Sequence, residues 1–178
     1  MAGATRQGLV IVLTGDGKGK TTSALGMAMR AVGSGLRVVM VQFIKARQAG
    51  EDKAAARLAP RLQVHRKGLG FVPPIGSGPI QEHQAAAREA LELVRGLLCG
   101  RKHAMVIADE ILTAIGLGLV SADDVLGLLE DRPAAVHLVL TGCGAPQRII
   151  DRADLVTEMR LVKHPHQKGL EAQEGIEF

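Results

Sequence analysis

The densest chemistry in the chain is the stretch Thr14-Gly15-Asp16-Gly17-Lys18-Gly19-Lys20-Thr21-Thr22. Glycines at alternate positions let the backbone curl so that successive N–H groups face one anion, and a helix starting directly behind them adds its positive end. Lys20 then reaches the outer phosphates of a nucleotide, and the Thr21 hydroxyl is offered to Mg²⁺. Apolar strand, glycine-rich bend, Gly-Lys-Thr and helix follow in the order of a phosphate-binding P-loop. The spacing departs from G-x-x-x-x-G-K-[ST] in one respect: Thr14 holds the first position and the leading glycine comes one residue later, at Gly15, which shortens the loop. A second signal is Met105-Val106-Ile107-Ala108-Asp109-Glu110, an apolar run ending in two carboxylates. Behind such a loop, an acid at a strand end completes a Mg²⁺ shell. Spacing does not say which acid touches the metal; Glu110 is the first choice and Asp109, one layer out, the alternative.

These residues need a scaffold to bring them together. Residues 8–14, 36–43, 103–109 and 136–141 are apolar without alternation, the pattern of strands buried on both faces of a parallel sheet. Weaker runs lie at 62–66 and 155–161. Helical patterns separate them: an Ala- and Met-rich stretch over 21–32, and residues 79–99, where Ala87, Leu91, Val94 and Leu98 share one face. Ser121 with Asp124 resembles a capping pair opening a short helix through Glu130, which Pro133 closes. Between residues 46 and 79 the pattern weakens, and residues 68–78 read as a long mobile loop that closes over a site. The expected fold is α/β, a mostly parallel sheet with helices on both faces, in a P-loop NTPase (RecA-like) architecture.

At 178 residues the chain reads as a single domain, 1–178. Hydrophobic residues at 47% and charged ones at 22% exclude a disordered chain. Cys99 and Cys143 lie far apart in sequence, offer no zinc site or disulfide framework, and read as reduced thiols of a cytoplasmic protein. A net charge of +4 without a basic cluster, with three Phe and no Trp or Tyr, argues against nucleic acid as a partner. No run is long enough to span a membrane. His65, His83, His103 and His137 show no ligand spacing, and Arg30 reads as a surface residue. For His164 and His166 two readings stay open, an approach to substrate or a place in a solvated turn.

Taken with several later segments, the motifs resemble the ATP:corrinoid adenosyltransferases that serve cobalamin biosynthesis. Besides the GDGKGKTT loop, the resemblance takes in Val41-Gln42-Phe43-Ile44-Lys45, Gly70-Phe71, Asp109-Glu110 and Thr141-Gly142. It continues through Ala145-Pro146, Ala153-Asp154-Leu155-Val156-Thr157-Glu158-Met159, Val162-Lys163-His164 and the closing Gly169-Leu170-Glu171-Ala172-Gln173-Glu174-Gly175-Ile176-Glu177-Phe178. What it implies is transfer of the 5′-deoxyadenosyl group of ATP to the Co(I) of a corrinoid, cobalamin or a precursor, with release of triphosphate. Gly15, Asp16, Gly17, Lys18, Gly19, Lys20, Thr21 and Thr22 are then the triphosphate cradle, with Lys20 and Thr21 catalytic and Mg²⁺ on Thr21 and Glu110 or Asp109. For Lys18 two readings stay open, a charge added to the cradle or a side chain in solvent. In such proteins ATP lies reversed, its 5′ carbon presented to cobalt.

Phe71 matches the aromatic that helps strip the lower cobalt ligand, and is the expected corrinoid-binding residue; a loop anchor packed in the core is the competing reading. The resemblance also implies an electron donor and pairing as a homodimer. Three departures stand out. Pro73 and Cys143 occupy positions where relatives often carry Trp and Arg, and a short lead before the first strand means that any cover over the site comes from elsewhere. The same core could serve an ATP hydrolase or small-molecule kinase, which would split ATP to ADP, or a nucleotide-dependent corrinoid-binding protein without turnover.

Overall fold

The structure is a computed structural model that describes residues 7–73 and 80–176. Six parallel strands form one sheet: β1 (Val10–Thr14), β2 (Val38–Gln42), β3 (Leu62–Arg66), β4 (Met105–Asp109), β5 (His137–Thr141) and β6 (Leu155–Glu158). Their spatial order is β3-β2-β4-β5-β1-β6. The connection from β1 to β2 therefore passes over β5 and β4. The unbroken aliphatic runs have the expected cause, since β1, β2 and β4 are buried along their whole length.

Side chains alternate between the two faces of this sheet. Val10, Val12, Val39, Val41, Val106, Ala108, Leu138 and Leu140 enter one core, packed by α3 (Gln81–Cys99), α4 (Ile111–Gly116), α5 (Ala122–Asp131) and α6 (Gln147–Ile150). Ile11, Leu13, Val38, Met40, Met105, Ile107 and Val139 enter the other, under α1 (Lys20–Gly33) and α2 (Gly50–Leu58). The helices thus lie on both faces, as expected, and Ala87, Leu91, Val94 and Leu98 form the buried stripe of α3. The cap of α5 is also as read: Asp124 N–H donates to Ser121 Oγ at 3.0 Å and Ser121 N–H to Asp124 Oδ2 at 2.9 Å. Ser121 Oγ, which donates to Asp124 Oδ2 at 2.6 Å, and then the Ser121 N–H hold the Asp124 carboxyl below its usual range.

Three readings need correction. The weak stretch after residue 46 contains α2, whose sequence GEDKAAARL buries only Ala55 and so carries no apolar stripe to detect. The run at 155–161 is a strand only to Glu158, and all four of its residues are exposed because β6 is the sheet's edge. Phe71 is not packed in the core, as described below. Of the loop expected at 68–78, residues 74–79 lie outside the described residues.

Candidate nucleotide-binding cleft

Helix α1 begins at Lys20 with Gly19 as its N-cap; no side chain caps it, and no acid lies in its first turn. Its leading amides and their positive end are therefore left for an anion. The bend before it is pressed against the chain leaving β6. A Cβ on Gly15, whose φ is +96°, would meet Met159 O at 2.4 Å, which is why the residue is glycine. Gly17 N–H donates to Met159 O at 2.7 Å, pinning the bend. Lys20 is nearly buried, and its ammonium donates to Gly15 O at 2.7 Å and Gly17 O at 2.8 Å. The lysine's charge is thus held by two carbonyls of the bend that precedes it.

Across the cleft, Asp109 ends β4 at 3% exposure. Its Oδ1 accepts from Thr21 Oγ1 and from Thr141 Oγ1, each at 2.8 Å, and Gln42 Nε2 lies 3.4 Å from its Oδ2. Burial pushes the Asp109 carboxyl above its ordinary value; the hydrogen bonds from Thr141, Thr21 and Gln42 pull the other way, and Glu110 beside it adds to the rise. Glu110 leaves the strand in a left-handed conformation, φ 63°, and caps α4, with its carboxylate accepting from Thr113 Oγ1. The Thr21 hydroxyl therefore meets Asp109, the alternative of the sequence reading, while Glu110, the first choice, lines the same cleft next to it.

The cleft has a volume of about 760 Å³. Residues 16–22, Asp109 and Glu110 make its polar end, Leu25 and Ile44 add apolar surface, and Lys45 and Glu51 form an ion pair on its wall. Every cradle residue from Asp16 to Thr22 lines it, and Gly15 lies just behind. The C-terminal segment supplies a further wall through His164, Gly175 and Ile176, and Lys18 Nζ donates to Ile176 O at 3.1 Å. His164 thus lines the cleft while opening the turn of residues 165–168, where Gln167 N–H donates to its carbonyl. The side chain of His166, and Glu177 and Phe178, lie outside what the structure describes.

Phe71 does not line this cleft. It is 84% exposed on a loop whose Gly70 N–H donates to Ile44 O at 2.8 Å, so the ring stands in solvent next to the segment that follows β2. Arg30 is exposed on the last turn of α1, and Cys143 is an exposed free thiol beyond β5. Sequence reasoning gave Gln42 and Thr141 no role, although both are completely buried at strand ends against Asp109.

The donor set suits Mg²⁺. Among the described residues no three His, Cys, Asp or Glu side chains gather as a metal cage. A hydroxyl and a carboxylate facing a phosphate cradle need none, because Mg²⁺ takes one or two hard oxygen ligands from protein and the rest from phosphate and water.

A family model described as ATP:corrinoid adenosyltransferase BtuR/CobO/CobP matches residues 6–178. A corrinoid adenosyltransferase of Pseudomonas aeruginosa is 40% identical over 176 residues, covering 97% of this chain and 84% of that protein. One of Escherichia coli is 35% identical over 173 residues, covering 97% and 86%. Among solved structures, the flagellar accessory protein FlaH of Methanocaldococcus jannaschii superposes with a TM-score of 0.60 at 14% identity, over 88% of this chain and 73% of that one. A KaiC-like protein of Pyrococcus horikoshii gives 0.56 at 18% identity, over 89% and 75%. These two show the fold alone.

Proposed function

Because the chain belongs to the ATP:corrinoid adenosyltransferase family, and is an enzyme that adenosylates corrinoids with ATP, we propose that the cleft behind β1 holds the triphosphate as a leaving group. The observation that carries this reading is the uncapped start of α1, with Lys20 and Thr21 on its first turn, facing the buried Asp109 across one cleft. Cob(I)alamin-type cobalt is already a strong nucleophile. Its electron pair forms the Co–C bond to the 5′ carbon as the C5′–O bond breaks, and triphosphate leaves with the bonding pair. No protein base is needed, so the chain's work is orientation and charge stabilisation.

In this scheme Lys20 exchanges the carbonyls of Gly15 and Gly17 for phosphate oxygens. The amides at the start of α1 hold the same anion, and Lys18, next to the tail, adds charge at the rim. Thr21 and Asp109 would hold Mg²⁺, with Glu110 beside them; the ion would supply neutralising charge to the polyphosphate. Leu25, Ile44 and Ile176 shield the reacting carbon from water. Phe71, exposed at the neighbouring loop, is the side chain proposed to meet the corrinoid and displace its lower ligand. We further assign to the enzyme an external electron donor, pairing as a homodimer and cytoplasmic residence; the free thiols of Cys99 and Cys143 support the last.

The test is to mix the protein with ATP, Mg²⁺ and chemically reduced cobalamin. The light-sensitive cobalt–carbon product and triphosphate are expected in equal amounts, without ADP. Lys20→Ala should lower turnover by at least about 10², the scale of losing one preorganised charge-stabilising donor. ADP as the nucleotide product, or near-normal turnover in that variant, would overturn the reading.

A further inference from the structure

The strand order places β5 between β1, which leads into the phosphate loop, and β4, which ends in the two carboxylates. The residue at the end of β5 therefore stands between cradle and carboxylates, and that residue is Thr141, with 0% exposure. Its Oγ1 donates to Asp109 Oδ1 at 2.8 Å and accepts the Glu110 N–H at 2.8 Å. A hydroxyl has one proton and two lone pairs, so Thr141 commits the proton to one acid's side chain and a lone pair to the other's backbone. The second bond matters because Glu110 holds a left-handed φ of 63°, a conformation a non-glycine residue keeps only where its surroundings enforce it. Directly after Thr141, a Cβ on Gly142 would meet Thr113 N at 2.5 Å, so the chain passes tightly under the first turn of α4.

The other oxygen of Asp109 has its own neighbour. Gln42 lies opposite Asp109 in the register of β2 and β4, is 0% exposed, and brings Nε2 to 3.4 Å from Oδ2. The same Nε2 is 3.5 Å from Glu51 Oε1, while Gln42 Oε1 has no partner. Asp109 is thus held from both sides by β2 and β5, and the Thr21 hydroxyl completes the set from α1.

We propose that Thr141, with Gln42 as its counterpart on the second oxygen, is a positioning residue that presets Asp109 and Glu110 for the divalent cation of the nucleotide. This rests on the reading of Asp109 as the carboxylate of the cation site. The hydroxyl oxygen of Thr21 can ligate a cation while its proton stays on Asp109, provided the carboxylate does not rotate. Thr141 and Gln42 oppose that rotation. Without the Thr141 hydroxyl, Asp109 keeps fewer donors and the half-buried Glu110 N–H loses its acceptor. The cradle of residues 15–22 has no bond to Thr141 and stays intact, so the defect is confined to the metal.

Calorimetric titration of the intact protein with inorganic triphosphate separates the two. In EDTA it reads the amide cradle alone; over a Mg²⁺ series it reads the cation site. For Thr141→Val the half-saturating Mg²⁺ concentration should rise by about tenfold or more, the usual loss when the partner of a metal ligand is removed, with metal-free affinity changed by less than about twofold. Thr141→Ser, which keeps the hydroxyl, should recover most of the loss. Gln42→Leu should shift the Mg²⁺ requirement in the same direction, and it carries the test alone if Thr141→Val does not fold. An unchanged Mg²⁺ requirement, or an equal loss with and without the ion, overturns the proposal and reduces these residues to packing. Wild-type binding that ignores Mg²⁺ altogether overturns the cation site itself, and the positioning role with it.

Discussion

Asp109 is held in an environment that suits a ligand and not a fold. Its folded carboxyl is pushed above the ordinary value of 3.8, first by burial. A group raised in this way contributes its full stability below the unfolded value and loses it as pH rises through the folded one. At neutral pH the protein without metal therefore carries a cost that a neutral amide would not. Asp109→Asn should stabilise the metal-free protein by about 0.5–2 kcal/mol, the range of stabilising changes made at functional sites. The matching rise in Tm, roughly 2–4 °C per kcal/mol, would be read by calorimetry in EDTA. The same variant should lose the Mg²⁺-dependent gain in triphosphate affinity, and a lower melting temperature would sink the argument. The placement of Lys20 and Thr21 could be read directly from the sequence because it follows from distance along the chain to a helix start. Which of Asp109 and Glu110 meets the Thr21 hydroxyl could not, since it depends on which residue ends the strand and which turns away at φ 63°. Gln42 and Thr141 were quoted in the resemblance without a function because their contacts with Asp109 span 67 and 32 residues.

The strands were legible for a related reason. An aliphatic run buried on both faces, as in β1, β2 and β4, has no competing pattern; the weaker β3 also begins and ends where the sequence placed it, at Leu62 and Arg66, although only Leu62 is buried. Helix α2 escaped because a nine-residue segment with one buried alanine has no stripe, and its N-cap is Ala49, a residue with no capping side chain. The loop expected to be mobile spans residues 68–78, and its described part, residues 68–73, is tied down: Gly68 N–H donates to Gln42 O, and Gly70 N–H to Ile44 O. That anchoring leaves Phe71 at 84% exposure with almost no packing to lose. Phe71→Ala should therefore leave stability within about 0.5 kcal/mol. Activity should fall by up to about tenfold, the worth of one aromatic contact. The loss should be larger with Co(II) and a mild reductant than with preformed Co(I), as a ligand-displacing side chain requires. Equal losses in the two assays would remove Phe71 from that role.

The strand ends divide the molecule by function. The C-terminal ends of β1, β2, β4 and β5 carry the P-loop, Gln42, Asp109 and Thr141, while the approach to β4 carries His103 near Arg37, Lys102 and His65. His103 is half-buried, and its buried Nδ1 has no hydrogen-bond partner. Burial lowers its pKa first, and the charges of Arg37, His65 and Lys102 lower it further. Because the folded value lies below the unfolded 6.5, the neutral ring's contribution is complete above that pH and is lost as pH falls through the folded value. Asp52 and Asp124 act at lower pH, since both are held below the ordinary carboxylate value. For Asp52, burial is outweighed by hydrogen bonds from Arg66 and the Ala49 N–H. Asp109 has the opposite sign, gaining as it takes up a proton. Unfolding free energies measured by denaturant in EDTA from pH 7.5 downward should therefore decline below about pH 6.5 in the wild type, the onset set by free histidine. The decline should be shallower in His103→Asn. Parallel pH profiles for the wild type and His103→Asn would mean that the cationic surroundings of His103 do not act on the folded chain as a whole.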